Sequence, residues 1–206
     1  MAQRTKARPT PRTHQTISGA SWESRTLERQ THTGVAFLDL DMTEVVDEAS
    51  VFTDCSFRRT RFNCSKHTDA AFVNCTFANC NFFEARFTGC KFVGCLFERC
   101  EFDLMVVAGG NWSHVGLPSA DLRKAEFTDV RMSEADLTGA NLQGAVLRGC
   151  DLSGSWLHGA NFSRCDLRGS DISAIDPVHA RLAGTIIDFQ QAAVLASAMG
   201  LEVRSE

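Results

Sequence analysis

The sequence predicts an all-β solenoid. Two observations carry that expectation. Every fifth residue from Phe52 to Ile172 is a large side chain, and the register does not slip across 25 consecutive positions. Two residues before each of these centres stands a small residue, such as Cys55, Thr60, Ser65, Ala70 or Ala135. A period of five fits neither the 3.6-residue helix nor the two-residue strand. It is instead the mark of an internal repeat, in which stacked units turn their centre and small residue inward and together bury one continuous core.

From Phe52 to Phe102 ten of the eleven centres are Phe, whereas Leu dominates after Leu117. His67 is the one polar centre of the series, and a local distortion around Ser65-Lys66-His67-Thr68 is expected to turn it outward. Met105 is the one bulky residue in the small column. Eight of the nine cysteines, all but Cys64, fall in that column. There they read as small buried hydrophobes in place of Ala, and their spacing in multiples of five carries no zinc information. Reduced thiols suit the cytosol.

Ahead of the repeat, residues 1–20 hold Arg4, Lys6, Arg8 and Arg12 and no acid, which leaves a net charge of −8 for residues 21–206. The segment reads as a disordered basic tail without the apolar stretch of a secretory signal. Residues 21–49 keep the phase at Trp22, Leu27, Phe37 and Met42 but carry His32 and Asp47 off type, so an irregular first coil and N-terminal cap is expected there. The repeat proper is placed at residues 50–187, with a bend or altered coil near 105–118, where Gly109, Gly110, Gly116 and Pro118 cluster. Gly139, Gly144, Gly149, Gly154, Gly159 and Gly169 mark corners that need a positive φ. A short helix is expected in residues 188–206, from Asp188 as N-cap to Gly200 as C-terminal stop.

The units Ala135-Asp136-Leu137-Thr138-Gly139, Ala140-Asn141-Leu142-Gln143-Gly144 and Ala160-Asn161-Phe162-Ser163-Arg164 match an A-(D/N)-L-X-X signature, and the chain resembles the pentapeptide-repeat family. The resemblance implies a right-handed quadrilateral β-helix, four pentapeptides to a coil, so that residues twenty apart stack about 4.8 Å apart. Together with the segment Asp176-Pro177 to Gly184 and the helix ending at Gly200-Leu201, it points within the family to fluoroquinolone-resistance proteins of the mycobacterial MfpA type and, more distantly, to the Qnr proteins.

Those relatives imply a rod that imitates DNA and binds DNA gyrase, or topoisomerase IV where present. They also imply a two-fold dimer through the C-terminal segment, for which the matching apolar residues are Phe189, Ala192, Leu195, Ala196, Met199, Leu201 and Val203. A helix that only caps a monomer is the plainer reading of the same residues.

Residues 50–187 carry 15 acids and 14 bases, so the coil is nearly neutral in bulk. The column of Phe52, Phe72 and Phe92 is mildly acidic through Asp54, Glu134, Asp151 and Asp171, and Asp39, Asp41, Glu44, Asp47 and Glu48 precede it without a base. These nine acids are the expected contacts for a basic DNA-binding surface, by charge complementarity. A merely solvated face is the alternative, as is a repeat scaffold with another protein partner and no topoisomerase activity. No catalytic motif, metal-ligand spacing or phosphate-binding glycine loop occurs, and no stretch approaches a membrane span. A non-enzyme without cofactor, metal, small-molecule substrate, membrane or direct nucleic-acid partner is therefore expected in the cytoplasm.

Overall fold

The computed structural model describes residues 11–204. It is a solenoid whose strands all pair in parallel, each residue against the one twenty later, from Gln15↔Val35 onward. A small residue and its centre, two apart, share one side of a strand, but centres five apart would fall on opposite sides of a straight one. The chain instead bends at the end of each pentapeptide, with positive φ at glycines such as Gly139 and at non-glycine residues such as Ala49, Cys64 and Arg99.

Four faces result. On the Phe57 face the strands Gln15–Ser18, Val35–Leu38, Ser56–Arg58, Thr76–Ala78 and Leu96–Glu98 form a five-stranded sheet. The Phe87 face holds seven strands, from Thr26–Glu28 to Val146–Arg148, and the Phe52 face three, from Thr31–Thr33 to Ala71–Val73. The Phe62 face carries only single bridges such as Asp41↔Arg61 and Asn81↔Glu101.

Inside, like stacks on like. Phe52 and Phe72 lie 4.9 Å apart with rings 4° from parallel, Phe57 and Phe77 repeat that geometry, and neighbouring faces meet edge to face. Such pairs contribute about 0.5–1.5 kcal/mol each beyond their buried area. The buried thiols are hydrogen-bonded to carbonyls 23 residues earlier, as Cys75 Sγ is to Phe52 O at 3.3 Å. Burial pushes Cys150 up to about 11 and Cys90 and Cys165 to about 12, which keeps them in the inert thiol form.

Three differences from the sequence expectation have physical causes. First, the coil begins before residue 21. Gln15–Ser18 is already paired, and residues 21–49 follow the regular twenty-residue register with Phe37, Leu40, Met42 and Val45 buried. The remainder of the expected tail, residues 1–10, lies outside the described residues.

Second, His67 points inward, not outward, and Asp47, expected at a partner-facing surface, is buried beneath it. The two sit twenty residues apart in one column, both side chains fully buried, with His67 Nδ1 3.0 Å from Asp47 Oδ2. His67 Nε2 lies 3.1 Å from Ser65 Oγ. The Ser65 hydroxyl already donates to Phe62 O at 2.7 Å, so Nε2 must carry a proton and Ser65 accept it. Nδ1 faces Oδ2, so each group offsets part of the other's cost of burial, while Asp47 Oδ1 takes no hydrogen bond. Two polar centres that look like faults singly partner each other when stacked.

Third, the Phe62 face opens at one step. Its bridges run Asn81↔Glu101 and resume at Asp121↔Asn141, with none between Glu101 and Asp121 among the described residues. Phe82 and Phe102 stand 5.6 Å apart, wider than the stacks before them, and the small-column residues Cys100 and Ala120 are half-buried there. Pro118, which has no N–H and a fixed φ, stacks over Glu98 on the adjoining Phe57 face, just before this step. The Phe87 and Phe52 faces pass through unbroken at Val106↔Glu126 and Asn111↔Arg131. Gly110 belongs to a close approach, because a Cβ there would lie 2.1 Å from Cys90 O.

At the C-terminus one helix, α1 (Phe189–Ala198), closes the coil. Asp188 accepts from Gln191 N at 2.9 Å and the Gln191 side chain accepts from Asp188 N at 2.8 Å, a capping box. The Gln191 amide also donates to Leu167 O at 2.6 Å and Ser170 O at 2.7 Å, satisfying carbonyls that the last coil leaves open.

Replacing His67 by Phe alone should cost about 3–5 kcal/mol, because Asp47 is left buried without a partner, whereas the double change Asp47→Leu with His67→Phe should be near neutral or stabilising. Chemical denaturation of the two variants against the parent checks this. Ala49 occupies a corner at φ 57°, and Ala49→Gly should raise stability by about 0.5–1 kcal/mol through relief of the left-handed strain. An unchanged or lower midpoint would contradict that corner geometry.

Candidate functional site

Because the core is closed and apolar, any chemistry of recognition sits on the corner and strand residues that face outward. Among the described residues no group of three or more His, Cys, Asp or Glu is arranged to hold a metal ion. No helix is long and apolar enough to cross a membrane.

Outward charge is unevenly distributed. On the Phe62 face, Glu23, Asp41, Glu44, Glu84, Glu101 and Asp103 stack over the first half of the coil against one base, Arg61. Asp41 and Arg61 form an ion pair, and the other five acids are exposed. Within this panel Phe83 is 38% and Leu104 45% exposed, unusually open for large apolar side chains on this rod.

Beyond the open step the same face turns basic, with Arg123, Lys124, Arg164 and Arg181 against Asp121. Lys124 Nζ reaches back across the step to Asp103 at 2.8 Å. Arg123, Lys124 and Arg164 border a depression of about 450 Å³ with Asp103, Gln143 and Gly144.

This geometry has known counterparts. The model described as pentapeptide repeats matches residues 117–154 and 145–176. Residues 117–176 are pentapeptide repeats. A second model, the SV2A/B/C luminal domain, matches residues 13–102. Among solved structures the chain is similar to QnrB1, a plasmid-mediated fluoroquinolone resistance protein, with a TM-score of 0.61 and 21% identity over 92% of this chain and 100% of that one. It is also similar to HetL, a pentapeptide-repeat protein involved in heterocyst differentiation regulation from the cyanobacterium Nostoc sp. strain PCC 7120, with a TM-score of 0.55 and 18% identity over 85% and 87% of the two chains. No curated protein sequence matches significantly. These likenesses establish the fold; the expected nearness to MfpA in particular is not shown by them.

The acids singled out from the sequence do not form one surface on this solenoid. Five consecutive residues occupy one side of the coil, so Asp39, Asp41, Glu44, Asp47 and Glu48 are spread round three faces. Asp39 is held by Arg59 at 2.6 Å, and that guanidinium keeps its carboxyl below the usual range. Asp41 is tied to Arg61 and Thr43. Glu44 and Glu48 are exposed on different faces, and Asp47 belongs to the core pair.

On the Phe52 face, Asp54 lines an open depression of about 540 Å³ with Arg12 and Asn74, and Glu134 lies 3.3 Å from His114 Nδ1. Asp151 and Asp171 adjoin each other in successive coils. Each accepts a backbone N–H two residues on, from Ser153 at 3.0 Å and Ser173 at 2.9 Å, as Asp121 and Asp136 do at their own corners. These carboxylates serve the turn first.

The acids that do form a surface were partly missed. Over residues 50–187 Glu84, Glu101 and Asp103 are cancelled by Arg123, Lys124, Arg164 and Arg181 when the whole column is summed, and Glu23 precedes that range; the contrast shows when each half of the column is taken separately.

At the C-terminus Phe189 (92% exposed), Ala192, Met199, Leu201 and Val203 face solvent, joined by Val194. Leu195 is half-buried against the core and Ala196 is half-buried, so these two seal the coil more than they offer a free face.

Asp166 is the most heavily held exposed-side acid. Arg168 and Arg148 donate to it at 2.8 and 2.5 Å, and these bonds draw its carboxyl far below the ordinary value. A depressed folded-state value means stability that is present above the unfolded value near pH ~4 and is lost as pH falls through the folded one. Asp166→Asn should therefore lower stability by up to about 1 kcal/mol at neutral pH, the arginines being half exposed, and should flatten the loss between about pH 4 and pH 2. Thermal melts across that range read it directly.

Proposed function

We propose that the protein is a non-catalytic binding rod that occupies the DNA-binding surface of a type II topoisomerase, DNA gyrase or topoisomerase IV, and so protects that enzyme from a quinolone or another poison. The observation that carries this reading is the panel of five exposed acids on one face. It places carboxylates on four of the first five coils of that face, a concentration of negative charge that a phosphate-binding surface would attract. The resemblance to Qnr proteins supports it, since QnrB1 is named for fluoroquinolone resistance. The site acids in this reading are Glu23, Glu44, Glu84 and Glu101, with Asp103 shared with Lys124, in preference to Glu134, Asp151 and Asp171, whose carboxylates are drawn to a neighbouring base or to turns. The activity places the protein in the cytoplasm and calls for no cofactor.

The exposed apolar residues of the C-terminal segment are proposed to join two copies tip to tip about a two-fold axis. Phe189→Asp with Met199→Asp should yield a folded monomer with unchanged circular dichroism. Sedimentation that shows a monomer in the parent, or an unaltered dimer in the variant, would remove the interface.

A second reading, a repeat scaffold for another protein, is favoured by the similarity to HetL, a protein named for regulation of differentiation. The separating experiment titrates purified protein into gyrase with relaxed plasmid, with and without ciprofloxacin. Inhibited supercoiling or reduced drug-induced cleavage at low micromolar protein, weakened by Glu44→Gln, Glu84→Gln and Glu101→Gln together, is the expected result. No effect on gyrases from several bacteria would leave the scaffold.

A further inference from the structure

The Phe62 face changes sign along its length. Its first half presents five exposed acids, its second Arg123, Lys124, Arg164 and Arg181, and the change falls at the open step between Glu101 and Asp121. Arg123 is engaged by Asp121 at 2.6 Å and Lys124 by Asp103 at 2.8 Å, whereas Arg164 and Arg181 are exposed and take no part in the ion pairs of the described residues. Phe83 and Leu104 stand on the acidic side close to the change, and the depression bordered by Arg123, Lys124 and Arg164 stands on the basic side.

A uniform polyanion has no preferred direction on a basic groove, because reversing it end for end leaves its charge unchanged. A face that is negative over one half and positive over the other does have one.

From this reversal we propose that the Phe62 face docks in a single orientation on a protein surface of two parts. One part is basic with an apolar socket and lies opposite Glu44, Glu84, Glu101, Phe83 and Leu104. The other part is acidic, lies opposite Arg164 and Arg181, and places a carboxylate in the depression beside them. The inference rests on the topoisomerase reading for the identity of the partner, and on charge complementarity for the surface.

Like charges opposed across an interface repel and unlike charges attract, so the two halves must respond oppositely to the same kind of mutation if the whole face is used. Bulk imitation of DNA predicts something else: added negative charge anywhere on the rod should tighten binding.

The test measures the affinity of purified DNA gyrase for the full-length protein at fixed salt, using four variants. Glu84→Gln with Glu101→Gln, Arg164→Glu with Arg181→Glu, and Phe83→Ser with Leu104→Ser should each weaken binding, by roughly tenfold or more, which corresponds to about 1.4 kcal/mol. Arg86→Glu, on the Phe87 face, should leave it within about twofold. All four sites are exposed, and thermal melts matching the parent exclude misfolding as the cause.

Tighter or unchanged binding by the Arg164→Glu, Arg181→Glu variant, with the acid variant weakened, overturns the two-part surface while leaving DNA imitation in place. Absence of gyrase binding by the parent removes the topoisomerase reading itself, and the proposed docking with it.

Discussion

The stacking of each residue on the one twenty later is the constraint on which the rest of this structure depends. Parallel bridges of about 2.7–3.0 Å, such as Val51 N to Gln30 O and Asn81 N to Thr60 O, fix the register, and the register turns five-residue periodicity into columns. Each column then has to be internally compatible. Rings lie flat on rings, thiols stand above one another and reach the carbonyls 23 residues before them, and corners take positive φ whether or not glycine is available. A column tolerates a polar residue only when its neighbour up or down the stack can answer it, as Asp47 answers His67.

The same constraint limits function. Among the described residues the interior is filled by side chains and many corner carboxylates are spent on backbone hydrogen bonds. The rod's means of recognition is the pattern of charge and the occasional large apolar group on a flat face. The sign reversal on the Phe62 face, next to the step between Glu101 and Asp121 where its bridges lapse, gives that pattern a polarity. The cap at the far end, where Gln191 closes the open carbonyls of the last coil, leaves Phe189, Met199 and Leu201 uncovered, so the end is sealed for hydrogen bonds but not for apolar surface.

Much of the candidate surface was hidden from a linear reading because proximity here is set at a separation of twenty. Glu84 and Glu101 lie on neighbouring coils, yet the chain separates them by three other faces. Conversely Asp39 to Glu48, contiguous in sequence, are carried to different sides by the corners. Charge counted along the chain or over whole columns therefore averages away the contrast between Glu101 and Arg164, although both positions are plain to see once each column is divided at the open step.

The sequence by itself determined the solenoid, its period, the inward Phe and Leu columns and the C-terminal helix from Asp188 to Gly200, because each follows from a local repeat of residue size or a local capping pattern, whereas the four-sided section came only with the family resemblance. Tertiary structure alone decided that His67 turns inward onto Asp47, that residues before 21 are already coiled, that Leu195 is spent on the cap, and that the bridges lapse between Glu101 and Asp121. Those outcomes depend on what stands one coil above or below, and a residue's own identity does not contain that information.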